Sequence, residues 1–169
     1  MELYEAIHKR RTERVFFNKE SWRWYGTFCK QFDDLTNDEL YAILKLRVDV
    51  FVVEQNCPYP ELDDRDQNAV HVYFKDKNGI QAYLRVMDRD VESEYVSVGR
   101  VIAVKRRCGI GTAVLKEGIR IATQKFGADK VYLEAQTYAR ALYEKVGFRQ
   151  ISEEYLIDGI PHIKMLLEI

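Results

Sequence analysis

A chain of 169 residues, 47% apolar and 31% charged, has the size and composition of one globular domain with a sizeable core. Its formal net charge of −1 provides no basic field that would favour nucleic acid or an anionic membrane. The sequence has no apolar run of transmembrane length, no apolar core of a signal peptide and no metal-site spacing among its three cysteines, so we expect a cytoplasmic protein with reduced thiols and no metal.

The first twenty residues are polar and carry charges of both signs. We expect a short helical extension within residues 1–21, with its basic cluster forming a solvated face rather than a nucleic-acid contact. A single domain is expected over residues 22–169. Its first element is predicted as a strand, because Trp22, Trp24 and Phe28 alternate with residues of the opposite face.

A helix is predicted from residue 37, because Thr36 and Glu39 have the spacing of a capping box. One stripe of this helix is mainly apolar and consists of Leu40, Ile43, Leu44, Arg47 and Phe51. Arg47 is the exception in the stripe. Its side chain either extends to the edge of the apolar surface or points a charge into a cleft, and we favour the cleft.

An acidic loop follows the segment in which Pro58 and Pro60 fix an extended turn around Tyr59. The loop contains four carboxylates, at Glu61, Asp63, Asp64 and Asp66. This cluster is compatible with a metal site, with a site for a cationic amine, or with a plain solvated loop.

The second half of the chain predicts an α/β sheet with a helix on each face. Hydrophobic periodicity predicts strands at 70–74, 81–86, 96–104 and 130–136, helices at 109–126 and 140–146, and a last hairpin around the type I′ turn Asp158-Gly159. Gly118 lies inside the longer helix, where we expect it to allow close packing on a strand.

The chain is organised around a basic, glycine-rich turn between the strand at 96–104 and the helix that opens at Gly109. Glycines let the backbone approach a ligand, and a helix start presents unpaired N–H groups with a partial positive charge. Arg106 and Arg107 add two fixed cations. These features predict a pyrophosphate site that lacks the Gly-Lys-Ser/Thr ending of a nucleotide P-loop.

The spacing Arg106-x-x-Gly109-x-Gly111 resembles the acetyl-CoA loop of the GNAT N-acetyltransferase superfamily, although Arg107 stands where many members carry glycine. The segments that begin at Arg47, at Tyr143 and at Asp158 resemble the ElaA-like branch, and the resemblance covers residues 22–169. It implies the GNAT fold, an α/β architecture in which helices flank both faces of a mixed, mostly antiparallel central sheet whose fourth and fifth strands splay apart.

The resemblance also implies direct transfer of an acetyl group from acetyl-CoA to a primary amine, with coenzyme A as the product and no covalent enzyme intermediate. Tyr143 is the expected general acid for the departing thiolate. Gln136 stands where the superfamily usually has asparagine. The expected cofactor contacts are Ile102, Ala103, Val104, Arg106, Arg107, Cys108, Gly109, Ile110, Gly111, Thr112, Gln136 and Tyr143.

The general base stays open among Glu54, His71, Glu134 and His162, with Glu54 and His71 preferred and a chain of waters as a further alternative. The residues expected to bind the acceptor are Arg47, Glu54, His71, Glu134 and His162. A structural ion pair between Arg47 and Glu54 is an equal alternative for those two. Acidic residues on the acceptor side favour a cationic amine, such as a polyamine, an amino sugar, or a peptide lysine or N-terminus.

Two other functions compete with acetyl transfer. The first is a non-catalytic acyl-CoA-binding or sensing domain, since a fold does not fix a function. The second is an acyl-homoserine-lactone synthase, whose N-terminal half resembles this chain at Arg47, Phe51, Glu61, Asp63 and Asp66. The acetyl-CoA loop argues against that synthase, because its usual donor is an acyl-carrier protein. The expected partner is a small-molecule or peptide amine rather than nucleic acid or a membrane, and the expected state is a monomer or homodimer.

Overall fold

The computed structural model describes residues 13–18 and 23–169, which form a sheet of nine strands with helices packed on it. The strands in chain order are β1 (Glu13–Asn18), β2 (Arg23–Gln31), β3 (Ala69–Asp76), β4 (Gly79–Met87), β5 (Val96–Ala103), β6 (Lys130–Gln136), β7 (Arg149–Gln150), β8 (Tyr155–Ile157) and β9 (Ile160–Glu168). The α-helices are α1 (Asn37–Arg47), α2 (Ile110–Phe126) and α3 (Arg140–Glu144). Short 3-10 turns occupy Phe32–Asp34, Asp66–Asn68 and Thr137–Ala139.

The strands lie in the order β1-β2-β3-β4-β5-β6-β9-β7, and β8 pairs with β9. Neighbouring strands are antiparallel except β5 and β6, which are parallel. The prediction of a mixed, mostly antiparallel sheet is therefore confirmed. Within the described ranges, no helix combines the length and the apolarity needed to cross a membrane.

Helices cover both faces of the sheet, as predicted. In β3, Val72 and Phe74 belong to the large core that includes residues of α2, whereas Tyr73 packs in a second core with Ile43 of α1. Successive residues of a strand face opposite sides, so α1 and α2 lie on opposite faces.

The N-terminal part differs from the prediction. Residues 13–18 form strand β1, which pairs antiparallel with β2 along its whole length, and not the expected helix. The remainder of the expected extension, together with Trp22, lies outside the described residues. The strand expected around Phe28 is confirmed as β2. The division of the chain into an extension over 1–21 and a domain over 22–169 stays a prediction.

Helix α1 begins at the predicted capping box. The Thr36 side chain accepts a hydrogen bond from the Glu39 backbone N–H at 3.2 Å, and the Glu39 carboxylate accepts one from the Thr36 N–H at 2.9 Å. Beyond Arg47 the chain continues as a π-helical segment, Val48–Glu54. At the end of this segment, Glu54 contacts Arg106 beyond β5, and Gln55 contacts Gln136 of β6. Segments of this kind occur often at functional sites.

Helix α2 packs tightly on β4 at Gly118. A Cβ atom at this position would lie 2.9 Å from both methyl groups of Leu84. The close approach expected for this glycine is therefore confirmed. The helix ends as predicted at Gly127, which has a φ of 58° and is in the left-handed conformation.

A cleft forms where β5 and β6 separate. These strands pair through Val96 with Val131 and Ser97 with Tyr132, and they diverge beyond that point. A bulge in β5 then places both Arg100 and Val101 opposite a single residue of β4, and Arg100 has a φ of 54°. The splayed pair predicted from the resemblance is confirmed, as strands β5 and β6 in this numbering.

Candidate functional site

A cleft of about 1150 Å³ opens between the diverging ends of β5 and β6, and we call it the β5–β6 cleft. It is bounded by the end of β5, the turn before α2, helix α3, the hairpin of β8 and β9, and the chain around residues 54–65. Thirteen of the predicted site residues line it, namely Glu54, Ile102, Ala103, Val104, Arg106, Arg107, Gly109, Gly111, Thr112, Glu134, Gln136, Tyr143 and His162.

The turn before α2 presents main-chain donors to the cleft. Arg107 and Gly109 both have left-handed backbone, with φ values of 59° and 81°. This conformation explains why glycine suits the position of Arg107. Gly109 caps α2 without a side-chain hydrogen bond, so the N–H groups of the first turn remain available to a ligand.

Cys108 and Ile110 contribute to this turn through the backbone and not through their side chains. The Cys108 thiol donates to the Lys105 carbonyl oxygen at 3.1 Å, and Ile110 packs in the large core. Neither side chain lines the cleft. A role for these two residues in binding is therefore limited to their main-chain groups.

The edge of β5 offers fewer free groups than expected. The Val104 N–H donates to the Gln81 carbonyl oxygen of the neighbouring segment at 2.9 Å. In an antiparallel pair such groups alternate, so the N–H of Ile102 also points to β4, whereas the N–H and C=O of Ala103 point into the cleft. Of the three residues expected to pair with the pantetheine arm, Ala103 is therefore the one whose main-chain N–H and C=O groups face the cleft, and the contacts of Ile102 and Val104 stay a prediction.

Tyr143 faces the cleft from α3. The residue is 8% exposed, and its ring meets Phe148 edge to face at 6.2 Å between centroids. Burial raises the pKa of the Tyr143 phenol above its ordinary range, and neighbouring Tyr138 acts in the same direction. The phenol is therefore protonated near neutral pH and can donate a proton.

Two side-chain contacts span the cleft. The amides of Gln55 and Gln136 exchange hydrogen bonds of 3.1 and 2.9 Å, joining the end of the π-helical segment to β6. The Glu54 carboxylate contacts the Arg106 guanidinium of the turn before α2. Gln136 and Arg106, which were predicted to contact the cofactor, are therefore engaged by Gln55 and Glu54.

The end of the cleft formed by β6 and β9 contains Glu134 and His162. The Tyr132 hydroxyl donates to the Glu134 carboxylate at 2.9 Å. His162 donates from Nδ1 to the carbonyl oxygen of Ile160 at 2.7 Å. Both residues lie on the face of the sheet that lines the cleft, as expected.

Arg47 does not enter the cleft. Its side chain is fully buried and donates to Glu61 at 2.9 Å and to Asp66 at 2.7 Å. The expected contact with the acceptor is corrected, and so is the alternative pair with Glu54, because Glu54 contacts Arg106 instead.

The acidic loop is neutralised by arginines. Besides the contacts of Arg47, Arg85 donates to Asp63 and Asp66, and Arg100 donates to Glu61 and Asp63. Among the residues that the structure describes, no group of acidic, histidine or cysteine side chains could hold a metal ion. These carboxylates are engaged in ion pairs, so the loop no longer argues for a metal or for a cationic acceptor.

His71 also lies away from the cleft. It is fully buried, Nδ1 lies 2.9 Å from the Tyr83 hydroxyl and Nε2 lies 3.0 Å from the Asp66 carbonyl oxygen. Burial lowers the pKa of His71. With both ring nitrogens engaged, His71 cannot reach an acceptor, and its expected roles as base and acceptor contact are corrected.

Two residues of the cleft were missed in the sequence. Gln55 and Gln136 are 81 positions apart in the sequence, and no local pattern predicts the hydrogen bonds between them. Arg100 lies on the cleft wall over the rings of Phe51 and Tyr59, at 5.9 Å from each. Gly99-Arg100 interrupts the apolar run of β5, and that interruption was the available sign of a bulge.

Comparisons with known proteins agree with this geometry. Residues 34–169 match the family described as the acetyltransferase (GNAT) domain. Protein ElaA of Escherichia coli is 36% identical over 140 residues, which cover 80% of this chain and 92% of that protein. The crystal structure of Escherichia coli ElaA matches with a TM-score of 0.79 and 34% identity, covering 85% of this chain and 99% of the other. An acyl-CoA N-acyltransferase from Pseudomonas aeruginosa matches with a TM-score of 0.78 and 38% identity, covering 83% and 98%.

A CoA-dependent acyl-homoserine lactone synthase, solved with SAM and isopentyl-CoA, matches with a TM-score of 0.68 at 14% identity, covering 83% of this chain and 82% of that one. At this identity the likeness shows the fold alone. That synthase is itself CoA-dependent, so a CoA loop is compatible with both classes of enzyme.

Proposed function

Because the chain belongs to the GNAT acetyltransferase family, we propose that it transfers an acetyl group from acetyl-CoA directly to a primary amine. The observation that carries this proposal is the joint position of three features on one cleft: the uncapped start of α2, the free edge of β5 at Ala103, and the phenol of Tyr143. These supply a phosphate site, an extended binding edge and an acid.

The residues of the cleft fit an acyl-CoA. The first-turn amides of α2 and the Arg106 and Arg107 side chains would hold the diphosphate, since helix starts and guanidinium groups both favour such anions. A Cβ atom at Gly109 would meet nothing within 4 Å, so the turn leaves open space above its backbone. Ala103 and the Gln136 amide would then hold the pantetheine arm, after Gln136 releases Gln55.

The reaction needs proximity and two proton transfers. The acceptor must lose the proton of its ammonium form before its nitrogen can attack the thioester carbon. As the carbon–sulfur bond breaks, the Tyr143 phenol donates its proton to the sulfur. The Ala103 N–H, which points into the cleft, is placed to polarise the thioester carbonyl.

The test is release of free thiol from acetyl-CoA in the presence of a panel of primary amines. Tyr143→Phe is expected to lower kcat at least about 100-fold while the Kd for coenzyme A stays unchanged, because only the acid is removed. Tyr41→Phe is the matched control, since Tyr41 is 71% exposed and does not line the cleft.

Three outcomes separate the alternatives. Thiol release that depends on Tyr143 supports acetyl transfer. Tight binding of coenzyme A without thiol release with any amine supports a non-catalytic acyl-CoA-sensing domain on the same fold. Absence of measurable affinity for coenzyme A contradicts both.

A further inference from the structure

We propose that His162 is the general base that takes the proton from the acceptor ammonium; this rests on the proposed function. His162 lies on β9 and lines the β5–β6 cleft. The sequence offers four candidates for the base and favours Glu54 and His71 over Glu134 and His162. The surroundings of His162 in the structure set it apart from the other three.

The tautomer of His162 is fixed by its own backbone. A carbonyl oxygen only accepts hydrogen bonds, so the 2.7 Å contact with Ile160 requires the proton on Nδ1. The neutral ring then carries its lone pair on Nε2. No described residue makes a hydrogen bond to that nitrogen, so it is available to an ammonium group in the cleft.

The register of the sheet places His162 beside the expected reaction centre. His162 is directly opposite Gln136 in the antiparallel pair of β6 and β9. Directly opposite side chains share one face and lie about 5 Å apart at Cβ. If Gln136 holds the pantetheine arm near its thioester, the neighbouring His162 side chain lies beside the thioester carbon that the amine attacks.

The groups that surround His162 leave its ring free to act. The Tyr155 ring of β8 lies 6.5 Å from it between centroids, and this is the neighbour in the β8–β9 pair. Glu134 on β6 and Lys164 on β9 carry opposite charges and lie directly opposite each other. They are two residues along the strands from Gln136 and His162, on the same face of the sheet. Asp158 is in the turn at the end of the hairpin.

The other candidates have different engagements. Glu54 contacts Arg106 at the phosphate end of the cleft. Glu134 accepts from Tyr132, and His71 is buried with both nitrogens engaged. The free nitrogen of His162 combines a position in the cleft with a basic lone pair that makes no hydrogen bond to a described residue.

The protons balance through two residues. Nε2 of His162 takes one proton from the ammonium, the neutral amine forms the carbon–nitrogen bond, and the carbon–sulfur bond breaks. Tyr143 protonates the sulfur, and the second proton leaving the nitrogen restores the phenol. His162 returns its proton to solvent. The sum is one amide, one coenzyme A thiol and one released proton.

The decisive variant is His162→Asn, because the asparagine amide can replace the Nδ1–H donor to Ile160 but has no basic nitrogen. We expect kcat to fall at least about 100-fold, with an unchanged KM for acetyl-CoA and loss of the acid-side inflection in the pH profile of kcat. His162→Gln is a second variant in case the first does not fold. Lys130→Gln, at the opposite end of the β6–β9 pair and outside the cleft, is the control and is expected to keep both kcat and the inflection.

Nitrogen NMR of the histidine side chains, assigned by the loss of one signal set in His162→Asn, gives a test that needs no acceptor. The Nδ1–H tautomer of the neutral ring supports the proposal, and the Nε2–H tautomer overturns it. Full activity of His162→Asn alongside an active wild type overturns this proposal alone. If the wild type binds acetyl-CoA but acetylates no amine in the panel, the proposed function fails and this proposal falls with it.

Discussion

The contact between Glu54 and Arg106 is expected to weaken the binding of coenzyme A. In the free protein the Glu54 carboxylate occupies a guanidinium that the diphosphate of coenzyme A is expected to use. Coenzyme A must therefore displace Glu54 in order to bind Arg106. Glu54→Gln keeps the shape of the side chain and removes the competing charge, so it is expected to tighten the binding of coenzyme A.

The size of this effect follows from exposure. The two side chains are 68% and 52% exposed, and exposed ion pairs contribute about 0.2–1 kcal/mol. The Kd for coenzyme A should therefore fall by a factor of about 1.4 to 5 at low ionic strength. The difference should shrink in high salt, because exposed charges are screened.

Isothermal titration calorimetry at low and high salt measures this difference. The matched control is Glu168→Gln, which removes the similarly exposed pair with Arg149 outside the cleft and should leave the Kd unchanged. Weaker or unchanged binding in Glu54→Gln would refute the competition. A 100-fold loss of kcat at constant Kd would instead return Glu54 to the role of base.

Three further predictions concern the turn, the core and the ion-pair network. Arg107→Gly should raise the free energy of unfolding by about 1 kcal/mol, because the φ of 59° at this position favours glycine, and a lower melting temperature would contradict this. The same variant should weaken the binding of coenzyme A, because it removes a cation. Gly118→Ala should lower the free energy of unfolding by up to about 2 kcal/mol, because overpacking against Leu84 outweighs the gain in helix propensity; denaturant titration showing a more stable variant would refute it. Burial alone would raise the pKa of Asp63, but the hydrogen bond and charge of Arg85 hold it at about 2. Because the pKa is about 3.9 in the unfolded chain, the stabilisation is complete above about pH 4 and lost as the pH falls to about 2, and Asp63→Asn should flatten that part of the stability curve.

Local patterns in the sequence were sufficient for most of the fold. Alternation and helical periodicity located the strands and helices of the described domain, Thr36 and Glu39 located the start of α1, and Asp158-Gly159 gave a turn with both φ values positive, as a type I′ hairpin requires. Strand β1 was missed, because its charged surroundings masked a short apolar run.

The cleft was harder to predict, because its contacts join distant parts of the chain. The start of α2 and Tyr143 could be placed from the sequence, since each belongs to a local motif. Arg47 was misplaced because its partners, Glu61 and Asp66, can be recognised only after the loop has folded back on α1. A histidine in a strand likewise gives no sign of whether it is buried like His71.

The central claim is that the β5–β6 cleft holds acyl-CoA with its diphosphate at the start of α2. A crystal structure of the protein with acetyl-CoA tests it most directly. The prediction is density for the diphosphate on the main-chain amides of residues 109–112, with the thioester sulfur beside the Tyr143 hydroxyl. Density for the cofactor outside this cleft, or crystals that take up no acetyl-CoA at saturating concentration, would contradict it.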